Sequence, residues 1–265
     1  MTRSLDEVLT ARREDDGLDV LDVATGFGQG KATFGGLIVG ACVRSLEARV
    51  SDPSRRLRSI TAQLVGAPQP GPAHIHIRPL RSSNTVTTLT ADLEQGGTVM
   101  AHVVGVFATD RPVELTWREL RPPPAPPWRE LEPIDPENPF APEFTRNFEF
   151  RSSGGVPYTG SSDAPVGYIR PRAPCARRDA AYVACLVDAW WLVALCRFEQ
   201  LRPAATLTYT AELHTPASEL PDDEPLLHVG RGLVCHAGYS LETRELWSVD
   251  GRLVATGTQV VTIIK

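Results

Sequence analysis

The chain has 265 residues, of which 42% are hydrophobic and 22% charged, and its formal net charge is -5. That is ample apolar material for one large core or two ordinary ones, and the acidic balance argues against a nucleic-acid partner or an anionic membrane surface. Five cysteines with no C-x-x-C pair form the pattern of a reduced, cytoplasmic protein rather than a disulfide-bonded one.

The start, MTRSLDEVLTARREDD, lacks an apolar h-region, so no secretory signal is expected. Residues 4–14 read as a helix with Ser4 as N-cap and Glu7 completing a capping box. A short strand over 18–24 leads into TGFGQGK, and a helix then opens at Phe34-Gly35-Gly36 and runs to about Val50. The glycine-rich stretch fits neither G-x-x-x-x-G-K-[ST] nor G-x-G-x-x-G, and a meander rather than an alternation of strands and helices follows it, so it reads as a flexible structural or acyl-gating loop. Four strands follow, over 57–68, 74–81, 86–95 and 98–109, alternating or β-branched and punctuated by QPGP, SSN and GG.

Residues 110–140 change character: RPPPAPPWRELEPIDPENP holds eight prolines and reads as an extended linker over the surface. Strands resume with FTRNFEFR and PVGYIRPR. Next comes Arg178–Phe198, apolar almost throughout except for Asp188 and Arg197. The spacing predicts one helix of about 28 Å, buried on all sides. It is the one membrane-span candidate, and its central aspartate argues against that reading. ATLTYTAELH (205–214) and three further strand segments over 225–240, 244–251 and 252–265 complete the chain. Strand, helix and meander thus occur twice. The expected fold class is α+β, with antiparallel sheets each wrapped around a long central helix. The expected division is an N-terminal unit 1–109, a linker 110–140 and a C-terminal unit 141–265.

A lone carboxylate in an apolar helix costs several kcal/mol unless it is partnered or neutralised, which makes Asp188 the first candidate for chemistry. Thr206 and Gln259 are likewise polar within otherwise apolar strands. Aspartate can accept a proton, and threonine and glutamine can donate or accept hydrogen bonds, so the three could hold and activate a water; the alternative is a buried structural network. Gly35 and Gly36, opening a helix after Phe34, offer N–H groups that can polarise a carbonyl oxygen, or simply allow close packing. His74 and His76 lie at i and i+2 on one strand and point the same way. With no third ligand of known position, the pair reads as part of a strand face rather than a metal site. No G-x-S-x-G elbow is present.

FGG before a helix, LRSITAQLVGAPQPGP and AHVVGVFA, then LVDA, ATLTYTAELH and DGRLVATGTQ, together resemble the acyl-CoA thioesterase II family of tandem double hotdogs. The resemblance covers most of the chain outside the linker and the first dozen or so residues. It implies a thioesterase that cleaves acyl-CoA with water activated by Asp188, Thr206 and Gln259. It further implies a thioester oxygen held by N–H groups at Phe34-Gly35-Gly36 and an acyl tunnel beside the helix near Trp190 or Trp191. No metal or redox cofactor is needed, and a homodimer is expected. The chain departs from the family in carrying Thr208 and Tyr209 where members often have an acidic residue and a histidine, which bears on substrate preference. A non-catalytic acyl- or ligand-binding protein on the same fold is the alternative.

Overall fold

The computed structural model describes residues 3–15, 17–221 and 224–264. The first half contributes α1 (Leu5–Val8), β1 (Arg12–Arg13), β2 (Asp19–Val23), β3 (Gly28–Gln29), β4 (Ala32–Thr33) and α2 (Gly35–Glu47), then the long strands β5 (Arg56–Leu64), β6 (Gly71–Ser82), β7 (Val86–Gln95) and β8 (Thr98–Ala108). The second contributes β9 (Phe148–Gly154), β10 (Val166–Pro171), α3 (Ala180–Asp188) and α4 (Val193–Cys196). It ends with β11 (Ala204–Leu213), β12 (Leu226–His236), β13 (Tyr239–Trp247) and β14 (Leu253–Ile263).

All strands but β3 and β4 join one sheet in the order β1-β2-β6-β7-β8-β5-β11-β14-β13-β12-β10-β9. Apart from the edge strands β1 and β9, each half contributes five strands. From the centre outward, both halves use them in the same order: second, fifth, fourth, third, first. The repeat of element order in the sequence is therefore also a repeat of strand order. The halves meet where β5 pairs antiparallel with β11, Thr61 opposite Thr210.

Helices α2 and α3 pack against each other antiparallel on the inner face. At one end the buried Arg44, near the C-terminus of α2, makes a bidentate contact with the half-buried Asp179, Nε to Oδ2 at 3.1 Å and Nη2 to Oδ1 at 2.9 Å. Asp179 is also the N-cap of α3, accepting from the Tyr182 amide at 3.0 Å. Each charge thus sits at the helix end whose dipole favours it. Along the crossing the helices approach through glycine. A Cβ on Gly36 would lie 2.7 Å from the Cys185 carbonyl oxygen and 2.3 Å from the Phe34 ring, and one on Gly40 would lie 3.1 Å from the Ala181 carbonyl oxygen.

The expected single helix over 178–198 is corrected: α3 stops at Asp188, and α4 is a separate turn. The cause is a buried ion pair on β13. Arg244 donates to the Val187 and Trp190 carbonyls at 3.4 and 2.9 Å, and the Glu242 carboxylate accepts from the Val193 and Ala194 amides at 2.9 Å each. Side chains thus take the backbone groups that a continuous helix would pair internally. A long central helix is found in neither half, since α2 has 13 residues and α3 has 9. The first helix is also shorter than the expected 4–14, because residues 12 and 13 pair with β2. The strand expected to run to residue 240 instead turns at Ala237-Gly238, where β12 gives way to β13.

Outside the sheet, the proline-rich segment docks on the second half. Trp128 lies beneath the guanidinium groups of Arg151 and Arg170, at 4.9 and 4.8 Å, and Tyr168 donates to the Pro126 carbonyl at 3.1 Å. Beneath it lie Leu227, Val229 and Trp247, a small apolar cluster on the face away from the helices.

Gly36→Ala should destabilise the fold by about 1–3 kcal/mol, because its methyl would meet a backbone carbonyl that cannot rotate away. An ordinary helix-interior Gly→Ala change stabilises by up to ~1 kcal/mol. Urea denaturation of the two proteins gives the sign directly.

Candidate active site

Asp188 closes the last turn of α3, where the chain turns away under the pull of Arg244. On β14, inward positions alternate, so Gln259 and Val261 face the helices. The Gln259 amide, 1% exposed, donates through Nε2 to Asp188 Oδ1 at 2.5 Å. Its own carbonyl oxygen, Oε1, is buried and has no hydrogen-bond partner among the described residues. Asp188 is itself buried, at 8% exposure.

The first turn of α2 faces the same carboxylate. A Cβ on Gly35 would lie 3.0 Å from Asp188 Oδ2, and the Gly36 N–H is directed at the carboxylate. The Gly35 N–H has no hydrogen-bond partner among the described residues. Burial raises the Asp188 carboxyl above its ordinary range, the largest influence on it. The Arg244 cation, the Gln259 amide and the Gly36 N–H oppose that rise, and the Glu242 charge adds to it. The result is a desolvated carboxyl held by donors on two sides.

Thr206 sits opposite Val261 across β11 and β14, and Tyr209 sits opposite Gln259, with a bulge between Thr206 and Thr208. Directly opposed residues share a face, so Thr206 stands on the inward face beside Gln259. The structure brings Asp188 and Gln259 into contact; Thr206 is half-buried, and its hydroxyl has no hydrogen bond to either among the described residues. Phe34 is fully buried in the core. It is stacked on Phe144 with ring centroids 4.1 Å apart and meets Phe148 edge-on at 6.2 Å. Trp190 stacks on His228 at 5.3 Å and meets Phe150 at 5.4 Å, while Trp191 donates to the Gly155 carbonyl at 2.7 Å. Two surface cavities, of about 450 Å³ beside Arg44 and Glu47 and about 370 Å³ beside Ala194 and Gly232, do not include Asp188. Buried polar geometry, not cavity size, marks the site.

Two neighbours, Arg244 and Glu242, were not singled out from the sequence; their charges act on Asp188, and both are wholly buried. Tyr209 donates its hydroxyl to the Ala184 carbonyl at 2.7 Å, bracing α3 one turn before Asp188. Cys185, on the same helix, has its thiol pushed well above the ordinary range by burial, and Cys42 is pushed up to about 12, so neither supplies a thiolate. All five cysteines are unpaired. The glycine-rich stretch forms the β3–β4 hairpin, tied down by the Gly28 amide donating to Glu143 Oε2 at 3.0 Å and by Asn147 donating to the Gly26 carbonyl at 2.7 Å. No described helix is long and apolar enough to cross a membrane.

Residues 23–108 match the model of the acyl-CoA thioesterase N-terminal domain, and residues 118–263 match that of the acyl-CoA thioesterase C-terminal domain. Among solved structures, the chain resembles a conserved protein of unknown function with a hotdog fold from Alicyclobacillus acidocaldarius (22% identity, 100% of this chain and 99% of that one, TM-score 0.88). It also resembles a putative thioesterase II from Thermobifida fusca YX (22% identity, 100% and 98% covered, TM-score 0.85). A third is the acyl-CoA thioesterase II TesB2 of Mycobacterium marinum (18% identity, 98% of each chain, TM-score 0.79). These likenesses establish the hotdog fold. No curated relative matches the chain by sequence.

The raised Asp188 carboxyl carries a pH signature. Between the ordinary value of 3.8 and its raised value, the folded chain holds more protons at this site than the unfolded chain. Its contribution to stability is therefore full below that ordinary value and is lost as pH rises through the folded one. Asp188→Asn should remove this part of the decline, so the difference in urea midpoint between the variant and the parent should shift in the variant's favour as pH rises from about 4 to about 8.

Proposed function

The chain belongs to the acyl-CoA thioesterase family, and from that premise we propose that it hydrolyses acyl-CoA, or a related acyl thioester, by water activated at Asp188. Both matched domains are those of acyl-CoA thioesterases, which supports acyl-thioester hydrolysis as the general activity. The observation that carries the site assignment is the Asp188–Gln259 contact against the opening turn of α2.

In this reading a water molecule donates one hydrogen to the unpartnered Gln259 Oε1 and the other to Asp188, and Thr206 hydrogen-bonds to the same water from the shared inward face. The water oxygen attacks the thioester carbonyl carbon as its proton passes to Asp188. Burial favours that transfer, because it disfavours the charged carboxylate. The carbonyl oxygen becomes an oxyanion, held by the free Gly35 N–H and the positive end of α2; the Gly36 N–H is committed to Asp188. Collapse breaks the C–S bond, and the proton held by Asp188 passes to the departing thiolate. The products are a carboxylic acid and a thiol. Trp190 and Trp191 lie on the α3–α4 side of this site and fit the wall of an acyl tunnel there. The units 1–109 and 141–265, joined through 110–140 and acting as a cytoplasmic homodimer, complete the proposal.

The test is turnover of a panel of acyl-CoA esters, followed by thiol release. The parent should cleave at least one ester. Asp188→Ala should lower kcat by about 10²–10⁴-fold, and Gln259→Ala and Thr206→Ala should lower it with the far-UV spectrum unchanged. If no ester is cleaved, and Asp188→Ala alters only acyl-CoA binding, the chain is a binding protein on this fold.

A further inference from the structure

The two halves share their strand order but differ on the face turned away from the helices. In the second half that face is apolar and covered by the proline-rich segment through Trp128. In the first half the corresponding face is open and polar. Along β6 the inner positions Ala73 and Ile75 are buried, whereas His74 and His76 are exposed. Successive outward residues of a strand stand about 7 Å apart at the backbone, close enough for two imidazoles to reach one ion.

The third ligand missing from the sequence is supplied by strand pairing. In the register of β6 with β7, Glu94 lies directly opposite His74, and Asp92 lies opposite His76. The Glu94 side chain reaches across so that its Oε2 is 3.7 Å from His76 Nε2. The two imidazoles stand edge to face, with ring centroids 6.3 Å apart. One donor atom from each of His74, His76 and Glu94 lies within 4.8 Å of the others. Ligands around one zinc-sized ion sit about 3.3 Å apart, so small rotations of these solvent-facing side chains close the set. Asp92 is engaged otherwise, accepting from His102 at 2.5 Å and from Arg78 at 3.2 Å. That leaves Glu94 as the carboxylate free to serve the pair.

We propose that His74, His76 and Glu94 form a binding site for a divalent transition-metal ion on the outer face of the first half, pinning β6 to β7. Two imidazoles and one carboxylate select ions of the zinc, cobalt, nickel and copper group over magnesium or calcium, which prefer oxygen donors. Three protein ligands on an open face leave the remaining positions to water. The ligands lie across the sheet from Asp188, so the site is independent of the proposed hydrolytic chemistry.

The experiment is titration of the full chain, freed of metal, with Co²⁺ followed by its visible absorption and with Zn²⁺ followed by calorimetry. One equivalent should bind. His74→Ala, His76→Ala and Glu94→Gln should each weaken binding by about tenfold or more, while His102→Ala leaves it unchanged. Because the ion binds only the folded chain, Zn²⁺ should raise the melting temperature of the parent but not that of His76→Ala. The proposal is overturned if no saturable one-to-one binding is seen, if His76→Ala binds like the parent, or if His102→Ala is the variant that loses the ion. None of these readouts depends on thioester turnover.

Discussion

The close antiparallel crossing of α2 on α3 is the constraint on which the rest of the molecule depends. It brings the first turn of one helix against the last turn of the other at both ends. Glycine makes this possible, because at Gly36 a single methyl would meet the backbone of Cys185. Two helices at that separation leave no room for a hydration shell between them, so the charges at their ends must be satisfied by each other. At one end Arg44 meets Asp179; at the other the Gly36 N–H meets Asp188. Removing Asp179 would leave the buried Arg44 cation without its charge partner, which is costly and ties the helix geometry to the identity of both residues.

Where α3 ends is decided elsewhere in the chain. Glu242 and Arg244 occupy alternate inward positions of β13 and reach up to the backbone of residues 187–194. Asp188 becomes the last helical residue because the carbonyl before it and the amides a few residues beyond are already taken. The same two side chains set its electrostatic surroundings, Arg244 favouring the ionised carboxylate and Glu242 opposing it. One ion pair therefore positions the carboxylate and tunes it.

Asp188 and Gln259 were legible because each interrupts an apolar run, and an interruption of that kind shows in composition alone. The repeated strand–helix–meander order was legible for the same reason, since period and punctuation are local. The end of α3 was not. Nothing in AWWL breaks a helix by propensity, and the groups that do so are on a strand whose sequence, SLETRELW, looks like an ordinary half-solvated one. Glu94 as a partner for the histidine pair was hidden too, because cross-strand register depends on the turn between β6 and β7 rather than on either strand alone. Thr206 falls between the two cases: its polarity in an apolar strand is visible, but its distance from Asp188 depends on a bulge that the residues do not announce.

The near-symmetry of the halves also explains why chemistry is proposed at one end of the helix pair only. Glu47 is the last residue of α2, as Asp188 is of α3, and it faces the opening amide of α3 at Ala180 as Asp188 faces Gly36. Burial raises it as well, to about 7. Two carboxylates raised by desolvation, Asp188 buried and Glu47 half-buried, thus stand at equivalent ends of one antiparallel pair. What separates them is the strand behind each. The fifth strand of the second half, β14, presents Gln259 toward Asp188, whereas its counterpart β8 turns Ala101, Val103, Gly105 and Phe107 inward. An apolar wall offers no acceptor to orient a water, and Glu47 shares its end with the Arg44–Asp179 pair, which holds the helices together. The duplicated fold therefore supplies a desolvated acid twice, and in the proposed mechanism the strand residue opposite decides which copy holds the water.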